Sequence, residues 1–299
     1  MVVAIYGRDI EEEFYPYLKR LLDGLQQEGI GMVCEERLAV LLREKYACVP
    51  PFRTCFGKEG FGAEKVSLFL SVGGDGTFLD SVVYVKDNSV PVLGVNSGHL
   101  GFLANVPAGE IDDAIRCIAT RQYSVEQRDM LQLEVDGKVM SGFDYALNEV
   151  GILKAATSSL LKIHAYIGTV YLTTYWADGL VVATPTGSTA YSLSGGGPIV
   201  SPECRNIILT PICPHNLSMR PLIVPNEAEI RLKVEGRSGE FVLSMDSRLQ
   251  KMSDGPVLTI RTAQAKMNVV KLPQHNYYST LRNKLMWGED KRNGGHRFE

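Results

Sequence analysis

The sequence has no pair of cysteines at the spacing used by metal sites and disulfide scaffolds. Its six cysteines, at positions 34, 48, 55, 117, 204 and 213, are scattered, and none belongs to a Cys-x-x-Cys motif. Zinc sites and small secreted scaffolds show tighter, repeated spacing. We therefore expect free thiols and a reducing, cytoplasmic setting.

Long apolar runs are also missing. No stretch reaches the ~20 apolar residues that a membrane-spanning helix needs, and the apolar run at residues 1–6 is too short for the core of a signal peptide. We expect neither a membrane span nor a secretory signal. Residues 2–6 are instead expected to form a buried strand.

Neither sign of charge is in excess. The 31 basic and 34 acidic residues give a net charge of −3 at neutral pH. Proteins that bind nucleic acid rely on many Lys and Arg contacts with phosphates, so nucleic acid is not an expected partner. Small anionic ligands held by a few fixed donors remain compatible with this balance. A length of 299 residues and an apolar content of 45% favour a globular protein of two domains.

The first 124 residues alternate strand and helix patterns. Apolar strands separated by helices are typical of a parallel sheet covered on both faces. The sequence thus predicts an N-terminal α/β domain with a Rossmann-like parallel sheet over residues 1–124. The strand patterns cover residues 2–6, 66–72 and 90–95, and the helical patterns cover residues 11–29, 78–85 and 108–120.

After about residue 125 the pattern changes to short β-branched or aromatic runs between polar turns. Many short strands without long helices predict an all-β, sandwich-like domain, here residues 125–273. The C-terminal segment, residues 274–299, contains a helical pattern at residues 279–287 and is expected to pack on the first domain. The strand patterns cover residues 131–135, 145–153, 161–167, 170–174, 230–234, 241–245, 257–262 and 267–272.

A Gly-Gly-Asp-Gly-Thr loop at residues 73–77 follows a buried strand and precedes a helical pattern. Glycines let the backbone turn sharply and bring N–H groups close to a ligand, and a helix start favours anions, so the loop suits phosphates. The central Asp75 would repel them. It therefore indicates a base for a hydroxyl proton, or a group that meets a phosphate-bound metal ion. An ordinary turn in which Asp75 caps the helix is the structural alternative.

Two better-known phosphate loops do not match. The dinucleotide fingerprint G-x-G-x-x-G would need a glycine where Leu79 stands, and no Gly-Lys pair is followed by Ser or Thr as the Walker A motif requires. The missing fingerprint disfavours a hydride-transferring dehydrogenase.

Two more segments combine polar groups with apolar strands. Asn148 and Glu149 interrupt an apolar run, and a buried polar pair must be hydrogen-bonded or face a ligand. Residues 178–198 contain a strand, a turn rich in hydroxyl groups and a triple glycine. The hydroxyl groups could donate hydrogen bonds to phosphate or ribose oxygens. From composition alone, a polar surface loop is the alternative. The hydroxyl residues are Thr184, Thr186, Ser188, Thr189, Ser192 and Ser194.

Together these segments resemble the NAD kinase family of the bacterial type. The loop at 73–77 shares its Gly-Gly-Asp-Gly core with lipid kinases and phosphofructokinases of the same NAD kinase/diacylglycerol kinase-like superfamily, whereas the stretch 178–198 is highly specific. The matching segments are residues 73–77, 96–103, 148–149, 178–198 and 209–221. The resemblance implies an α/β domain and a β domain, and transfer of the γ-phosphoryl of ATP to the 2′-hydroxyl of the adenosine ribose of NAD, giving NADP and ADP.

The resemblance also implies roles for individual residues. Asp75 would take the proton of the 2′-hydroxyl. Trp176 stands where many relatives carry a basic residue, and Ser159 falls where some carry a histidine near the substrate. The residues implied to bind ATP or phosphate are Gly73, Gly74, Gly76, Thr77, Thr186 and Ser188. Those implied to bind NAD are Asp75, Gly76, Phe102, Asn148, Glu149, Ser159, Trp176, Asp178, Thr189, Ala190, Tyr191, Ser192, Leu193 and Ser194.

The same resemblance implies Mg²⁺ or another divalent cation, bound mainly through the ATP phosphates, and a homodimer or homotetramer.

A lipid or sphingoid kinase could use the same first loop, but such a kinase would lack the Asn148-Glu149 pair and the Thr-Pro-Thr-Gly-Ser-Thr run. A nucleotide-binding regulator without catalysis is the other alternative, and the intact Asp75 argues against it. The choice between NAD and NADH, and between ATP and polyphosphate, stays open at this stage.

Overall fold

A computed structural model describes residues 1–85, 89–98, 101–140, 142–155, 160–236 and 239–287. The chain divides into two units. The first comprises Met1–Ser81, Val90–Glu126 and the segment from Asn268 onward, and the second comprises Val82–Ser89 and Gln127–Met267. The sequence-based boundaries at residues 124 and 273 stay predictions.

The elements follow one another in chain order. Those up to residue 135 are β1 Val2–Gly7, α1 Tyr15–Gln27, β2 Gly31–Glu35, α2 Glu36–Tyr46, β3 Phe52–Phe56, β4 Leu68–Val72, α3 Asp75–Asp80, α4 Val82–Val85, β5 Val92–Val95, β6 Ala104–Val106, a 3₁₀ turn Ala108–Glu110, α5 Ile111–Thr120 and β7 Ser124–Val135. The rest are β8 Lys138–Val139, β9 Tyr145–Ala146, β10 Glu149–Lys154, β11 Leu161–Ile167, β12 Val170–Ala177, β13 Gly179–Ala183, a 3₁₀ turn Thr186–Thr189, α6 Tyr191–Ser194, β14 Asn206–Ile212, β15 Leu222–Pro225, β16 Ile230–Gly236, β17 Glu240–Met245, β18 Arg248–Ser253, β19 Val257–Lys271 and α7 Tyr277–Leu285.

The first unit is built on a parallel sheet with the strand order β5-β4-β1-β2-β3. The chain passes from β1 outward to β2 and β3, and then returns to the other side of β1 for β4 and β5. The strand order therefore reverses between β1 and β4. The carboxyl ends of these two strands lie side by side, because Gly7 pairs with Val72.

One face of this sheet is covered by helices whose apolar residues recur at helical spacing. In α1 the buried side chains are Leu18, Leu21, Leu22 and Leu25. They share one core with Ile111 and Ile118 of α5 and with strand residues such as Ile5 and Leu70. The α/β domain expected from the sequence is confirmed.

The second unit contains two groups of antiparallel strands. One sheet has the order β15-β14-β13-β10-β17-β18, and in the other group β12, β11, β16 and the start of β19 are neighbours. Alternate residues of both groups, including Val150 and Val182 of the first and Ile163 and Leu232 of the second, form one apolar core. Two sheets that share a core in this way form a sandwich-like layer pair, which confirms the predicted β architecture.

Several element boundaries differ from the sequence-based expectation. The helix expected at residues 78–85 is two short helices, α3 and α4, and the strand expected at 145–153 is divided into β9 and β10. The two strands expected at 257–262 and 267–272 are one continuous strand, β19. Among the described residues, no helix is both long enough and apolar enough to cross a membrane.

Candidate functional site

The side chain of Asp75 ties its own loop to a second loop of the first unit. Its Oδ1 accepts the backbone N–H groups of Leu103 at 3.0 Å and Ala104 at 2.9 Å, and its Oδ2 accepts that of Phe102 at 2.9 Å. Asp75 does not cap its own helix, because the residue at the N-cap of α3 is Gly74. The carboxylate is therefore held in one orientation by three donors from a neighbouring segment.

Two glycines are required for this arrangement. Gly73 has a φ of +154°, and a Cβ at this position would lie 2.3 Å from Oγ1 of Thr77. A Cβ at Gly101 would lie 1.9 Å from Oδ1 of Asp75. Such distances are far below van der Waals contact, so both positions need glycine for steric reasons. The helix charge expected from the sequence is small here, because α3 has only six residues.

A buried asparagine stabilises the second loop. The Nδ2 of Asn96 donates to the carbonyl of Ala104 at 3.1 Å, and its Oδ1 accepts the N–H of Gly98 at 2.8 Å. Phe102 is half-buried, and Nζ of Lys284, in α7, lies 5.5 Å from the centre of its ring. Residues 96–103 belong to the segments that resemble the family, but the sequence alone indicates no role for Asn96 or Lys284.

In the second unit, a buried carboxylate organises the Asn148-Glu149 segment. Asp246 accepts the backbone N–H groups of Leu147 at 2.9 Å, Asn148 at 2.8 Å and Glu149 at 3.2 Å. Its own N–H donates to the carbonyl of Glu149 at 3.0 Å. Asp246 could not be identified from the sequence, in which it is only an acidic residue in the turn after a strand pattern.

Glu149 is a carboxyl group in an unfavourable environment for charge. Burial, followed by the negative charge of Asp246, raises the pKa of Glu149 to about 8, although a hydrogen bond from the Tyr191 backbone opposes the shift. Burial also raises the pKa of Asp246, against its three backbone hydrogen bonds and the charge of Arg248. The Oε2 of Glu149 is buried and has no hydrogen-bond partner among the described residues. An uncharged Glu149 carboxyl can therefore donate a proton to a hydrogen bond with a ligand.

The hydroxyl-rich turn packs directly against Asn148. Thr184 Oγ1 donates to the carbonyl of Leu147 at 2.6 Å and accepts the N–H of Gly187 at 3.0 Å, and its backbone N–H donates to the carbonyl of Asn148 at 2.8 Å. A Cβ at Gly187 would lie 2.2 Å from the carbonyl oxygen of Asn148. The turn and the Asn148-Glu149 segment thus form one closely packed, hydrogen-bonded group.

Other hydroxyls of this run also have partners inside the protein. Ser188 is fully buried and exchanges two hydrogen bonds with the backbone of Val200, at 3.0 and 3.1 Å. The hydroxyls of Ser192 and Thr210 lie 2.8 Å apart. The predicted ligand contacts of Ser188 and Ser192 stay predictions. The more accessible residues of the run are Thr189, Ala190, Tyr191, Leu193 and Ser194.

Cations lie beside two further residues implied by the resemblance, Asp178 and Trp176. Lys154 Nζ lies 2.7 Å from Oδ1 of Asp178. Lys162 Nζ lies 4.6 Å from the ring centre of Trp176, whose exposed fraction is 48%. A lysine on the neighbouring strand therefore brings positive charge to the position where the resemblance implies a basic side chain. Ser159 lies outside the described residues.

Most of the predicted site residues thus form two groups, each within its own unit. One consists of the loop at residues 73–77 with Phe102, and the other consists of Asn148 and Glu149 with the run 184–194. In the part of the chain that the structure describes, no three His, Cys, Asp or Glu side chains are grouped so as to hold a metal ion.

Comparisons with known proteins agree with the motifs. The family model described as ATP-NAD kinase N-terminal domain matches residues 3–123, and the one described as ATP-NAD kinase C-terminal domain matches residues 147–272. The NAD kinase of Cytophaga hutchinsonii is 41% identical over 294 residues, which is 98% of this chain and 100% of that protein. An NAD kinase of Bacteroides fragilis is 41% identical over 293 residues, with the same coverage of both chains.

Solved structures show the same fold at lower identity. A yeast NADH kinase complexed with NADH superposes with a TM-score of 0.87 at 23% identity, covering 100% of this chain and 89% of that one. An NAD kinase from Archaeoglobus fulgidus in complex with ATP has a TM-score of 0.72 at 21% identity, covering 96% and 99% of the two chains.

Proposed function

The chain belongs to the NAD kinase family and is an ATP-dependent kinase of NAD; we propose that it transfers the γ-phosphoryl group of ATP to the 2′-hydroxyl of the adenosine ribose of NAD. The observation that carries this proposal is the 41% identity to NAD kinases over nearly the whole chain, together with the intact loop around Asp75. The products are NADP and ADP.

Asp75 is the proposed acceptor of the 2′-hydroxyl proton. A carboxylate has about four acceptor sites, and the three backbone N–H groups use two on Oδ1 and one on Oδ2. The remaining site on Oδ2 can accept the hydroxyl hydrogen bond. Because a carboxylate is a far weaker base than an alkoxide, the proton moves late, as the bond to phosphorus forms. Until then Asp75 orients the hydroxyl for in-line attack.

The donor enters as its complex with Mg²⁺ or another divalent cation, which belongs to the substrate. Such cations are held largely through phosphate oxygens and water. Gly74 and Gly76 support phosphate binding at the first loop, because a Cβ at either position would meet no described atom within 4 Å and the backbone there is open to a ligand. The residues proposed to bind the donor phosphates are Gly73, Gly74, Gly76, Thr77, Thr186 and Ser188.

Glu149 is proposed to bind NAD as an uncharged donor, with Asn148 beside it. Its raised pKa and the unpartnered Oε2 support this role, because an orphaned buried oxygen indicates a missing partner. The remaining residues proposed for the dinucleotide pocket are Asp75, Gly76, Phe102, Ser159, Trp176, Asp178, Thr189, Ala190, Tyr191, Ser192, Leu193 and Ser194.

A cytoplasmic homodimer or homotetramer is the proposed biological form. All six cysteines are free, and three of them, Cys55, Cys204 and Cys213, are exposed. Exposed thiols persist in a reducing compartment, which supports the cytoplasmic assignment. Light scattering of the purified protein over a concentration series measures the oligomeric state directly.

A coupled assay tests the reaction. Purified protein is incubated with NAD, ATP and Mg²⁺, and NADP is followed through a dehydrogenase that accepts only NADP. Parallel reactions replace ATP by polyphosphate, or replace NAD by NADH, in which case NADPH is the product measured. We expect NADP to accumulate with ATP. A folded protein that makes no NADP with either donor would contradict the kinase function, and phosphorylation of a lipid acceptor or silent nucleotide binding would then be measured.

A further inference from the structure

Arg8 lies directly beside the Gly-Gly-Asp-Gly loop, although it is about 65 residues away in the sequence. β1 and β4 are adjacent parallel strands, and Gly7 pairs with Val72. Each strand ends at that pair, so the residues that directly follow β1 and β4 are Arg8 and Gly73. A Cβ at Gly7 would lie 3.0 Å from the carbonyl oxygen of Val72, which shows how closely the two strand ends approach.

This position is where the order of the parallel strands reverses. The chain builds β2 and β3 on one side of β1, and β4 and β5 on the other side. In open parallel sheets, ligands bind outside the carboxyl ends of the strands at such a reversal. Arg8 and Gly73 therefore flank the point at which the fold itself favours ligand binding.

The guanidinium of Arg8 is oriented by a carboxylate of the same region. Its Nε forms an ion pair with Oδ2 of Asp80 in α3, the helix that begins at the loop. The hydroxyl of Tyr6 donates to the same oxygen at 3.1 Å. The side chain of Asp80 is only 12% exposed, whereas that of Arg8 is 52% exposed. The pair is made through Nε, and the two terminal nitrogens have no hydrogen-bond partner in the described part of the chain, so their donors are available for a ligand.

We propose that Arg8 binds the triphosphate group of the ATP donor, with Asp80 and Tyr6 as its positioning residues. The inference rests on the proposed function. An arginine presents a planar pair of donors that matches two phosphate oxygens, and it keeps its charge at every physiological pH. Asp75 adds negative charge to the loop, so a triphosphate that binds there needs a cation to offset the repulsion.

The experiment compares Arg8→Gln and Arg8→Lys with the wild-type enzyme. Steady-state kinetics give kcat and the KM values for ATP and NAD. Calorimetry gives the affinities for β,γ-methylene-ATP, ADP and AMP, each with Mg²⁺. The matched control is Arg20→Gln, since Arg20 is a similarly exposed arginine that is paired with Asp112 elsewhere in the unit.

The Arg8→Gln substitution is expected to raise the KM for ATP. It should also decrease the affinity for the triphosphate analogue by about tenfold or more, as expected for the loss of a charged hydrogen-bonded contact. The loss should shrink from triphosphate to AMP, the KM for NAD should stay within about twofold, and Arg8→Lys should recover part of the loss. Arg20→Gln should match wild type.

Three results would overturn the proposal: an unchanged ATP affinity, an equal loss for AMP and the triphosphate, or a loss confined to NAD. The Asp80→Asn variant distinguishes the orienting of Arg8 from the direct contact of Arg8 with the triphosphate. Because Arg8 is still present in this variant, its affinity for ATP should decrease less than that of Arg8→Gln. A wild-type protein that bound the triphosphate without making NADP would remove the proposed function, and the binding comparison would still decide the role of Arg8.

Discussion

The backbone N–H of Phe102 donates to Oδ2 of Asp75 at 2.9 Å, so the proposed proton acceptor is fixed by a loop about 27 residues further along the chain. Leu103 and Ala104 complete the set of donors. Hydrogen bonds to a charged acceptor are stronger than those between neutral groups. The orientation of Asp75 is therefore part of the folded structure and does not await the substrate.

Replacing Asp75 with Asn should remove both the base and part of the loop contact. We expect kcat to fall about 10²- to 10⁴-fold, the range of general-base contributions. The amide NH₂ group would also face backbone donors, which costs about 1–3 kcal/mol. Steady-state kinetics and thermal unfolding measure the two effects separately. A folded Asp75→Asn variant that kept wild-type kcat would show that Asp75 is structural only.

The Gly101→Ala variant tests the orientation of Asp75 without changing the carboxylate. The new Cβ would lie 1.9 Å from Oδ1 of Asp75, so either the side chain or the loop must move. We expect kcat to fall at least about tenfold, because small displacements of a catalytic group are costly. Gly98→Ala is the matched control in the same loop, since a Cβ there would meet no atom of the described residues within 4 Å. Equal activities of the two variants would rule out the orientation argument.

In the second unit, Gly187→Ala should disturb the Asn148-Glu149 segment. The added Cβ would meet the carbonyl oxygen of Asn148 at 2.2 Å, and neither backbone can yield easily. Overpacking of this kind costs about 1–3 kcal/mol, and the KM for NAD should rise. Gly151→Ala, on β10, is the control, because its nearest atom would be Ser244 Cβ at 3.4 Å. Chemical denaturation and NAD titration measure both outcomes.

Glu149 should make stability depend on pH in a definite direction. Burial raises its pKa from 4.5 to about 8, so between these values the native state holds a proton that the unfolded state has lost. Stability contributed by this group is therefore full below about pH 4.5, decreases as the pH rises, and is lost above about pH 8. In Glu149→Gln this decrease should be absent. Thermal unfolding of both proteins from pH 5.5 to 8.5 checks it, and parallel curves would refute the assignment.

The same protonation should appear in NAD binding. If the uncharged carboxyl donates to NAD, the wild-type KM for NAD should rise above about pH 8, the pKa raised by burial and by Asp246. Glu149→Gln keeps a donor at all pH values, so its KM should be flat over that range, while Glu149→Ala should bind NAD weakly throughout. A pH profile of KM decides this, and a wild-type KM that is constant up to pH 9 would argue against a protonated Glu149.

The structural elements that were predicted best from the sequence are those encoded by residues close together in the chain. An unbroken apolar strand followed by glycines located β4 and the loop around Asp75, because strand and turn preferences act over a few residues. The leucines of α1 likewise identified that helix by their spacing. The family resemblance and the two-part fold are both confirmed.

Long-range partners could not be predicted. Asp246 lies 97–99 residues from the backbone groups it accepts, and it stands in a turn with a φ of +50°, a conformation that aspartate tolerates. A polar residue between two strands is typical of any hairpin, so nothing local distinguishes it. The pairing of Arg8 with Asp80 was hidden for the same reason, since only the strand register brings them together.

Strand β19 begins in the second unit and ends in the first, where Val269 pairs with Val92. The ribosome delivers the chain from its N-terminus, and domains fold in the order in which they emerge. The first unit cannot complete its fold in this order, because its last strand segment and helix α7 are synthesised only after residue 267. The nascent Asp75 loop therefore leaves the ribosome inside a unit that is unfinished until almost the whole protein has been translated.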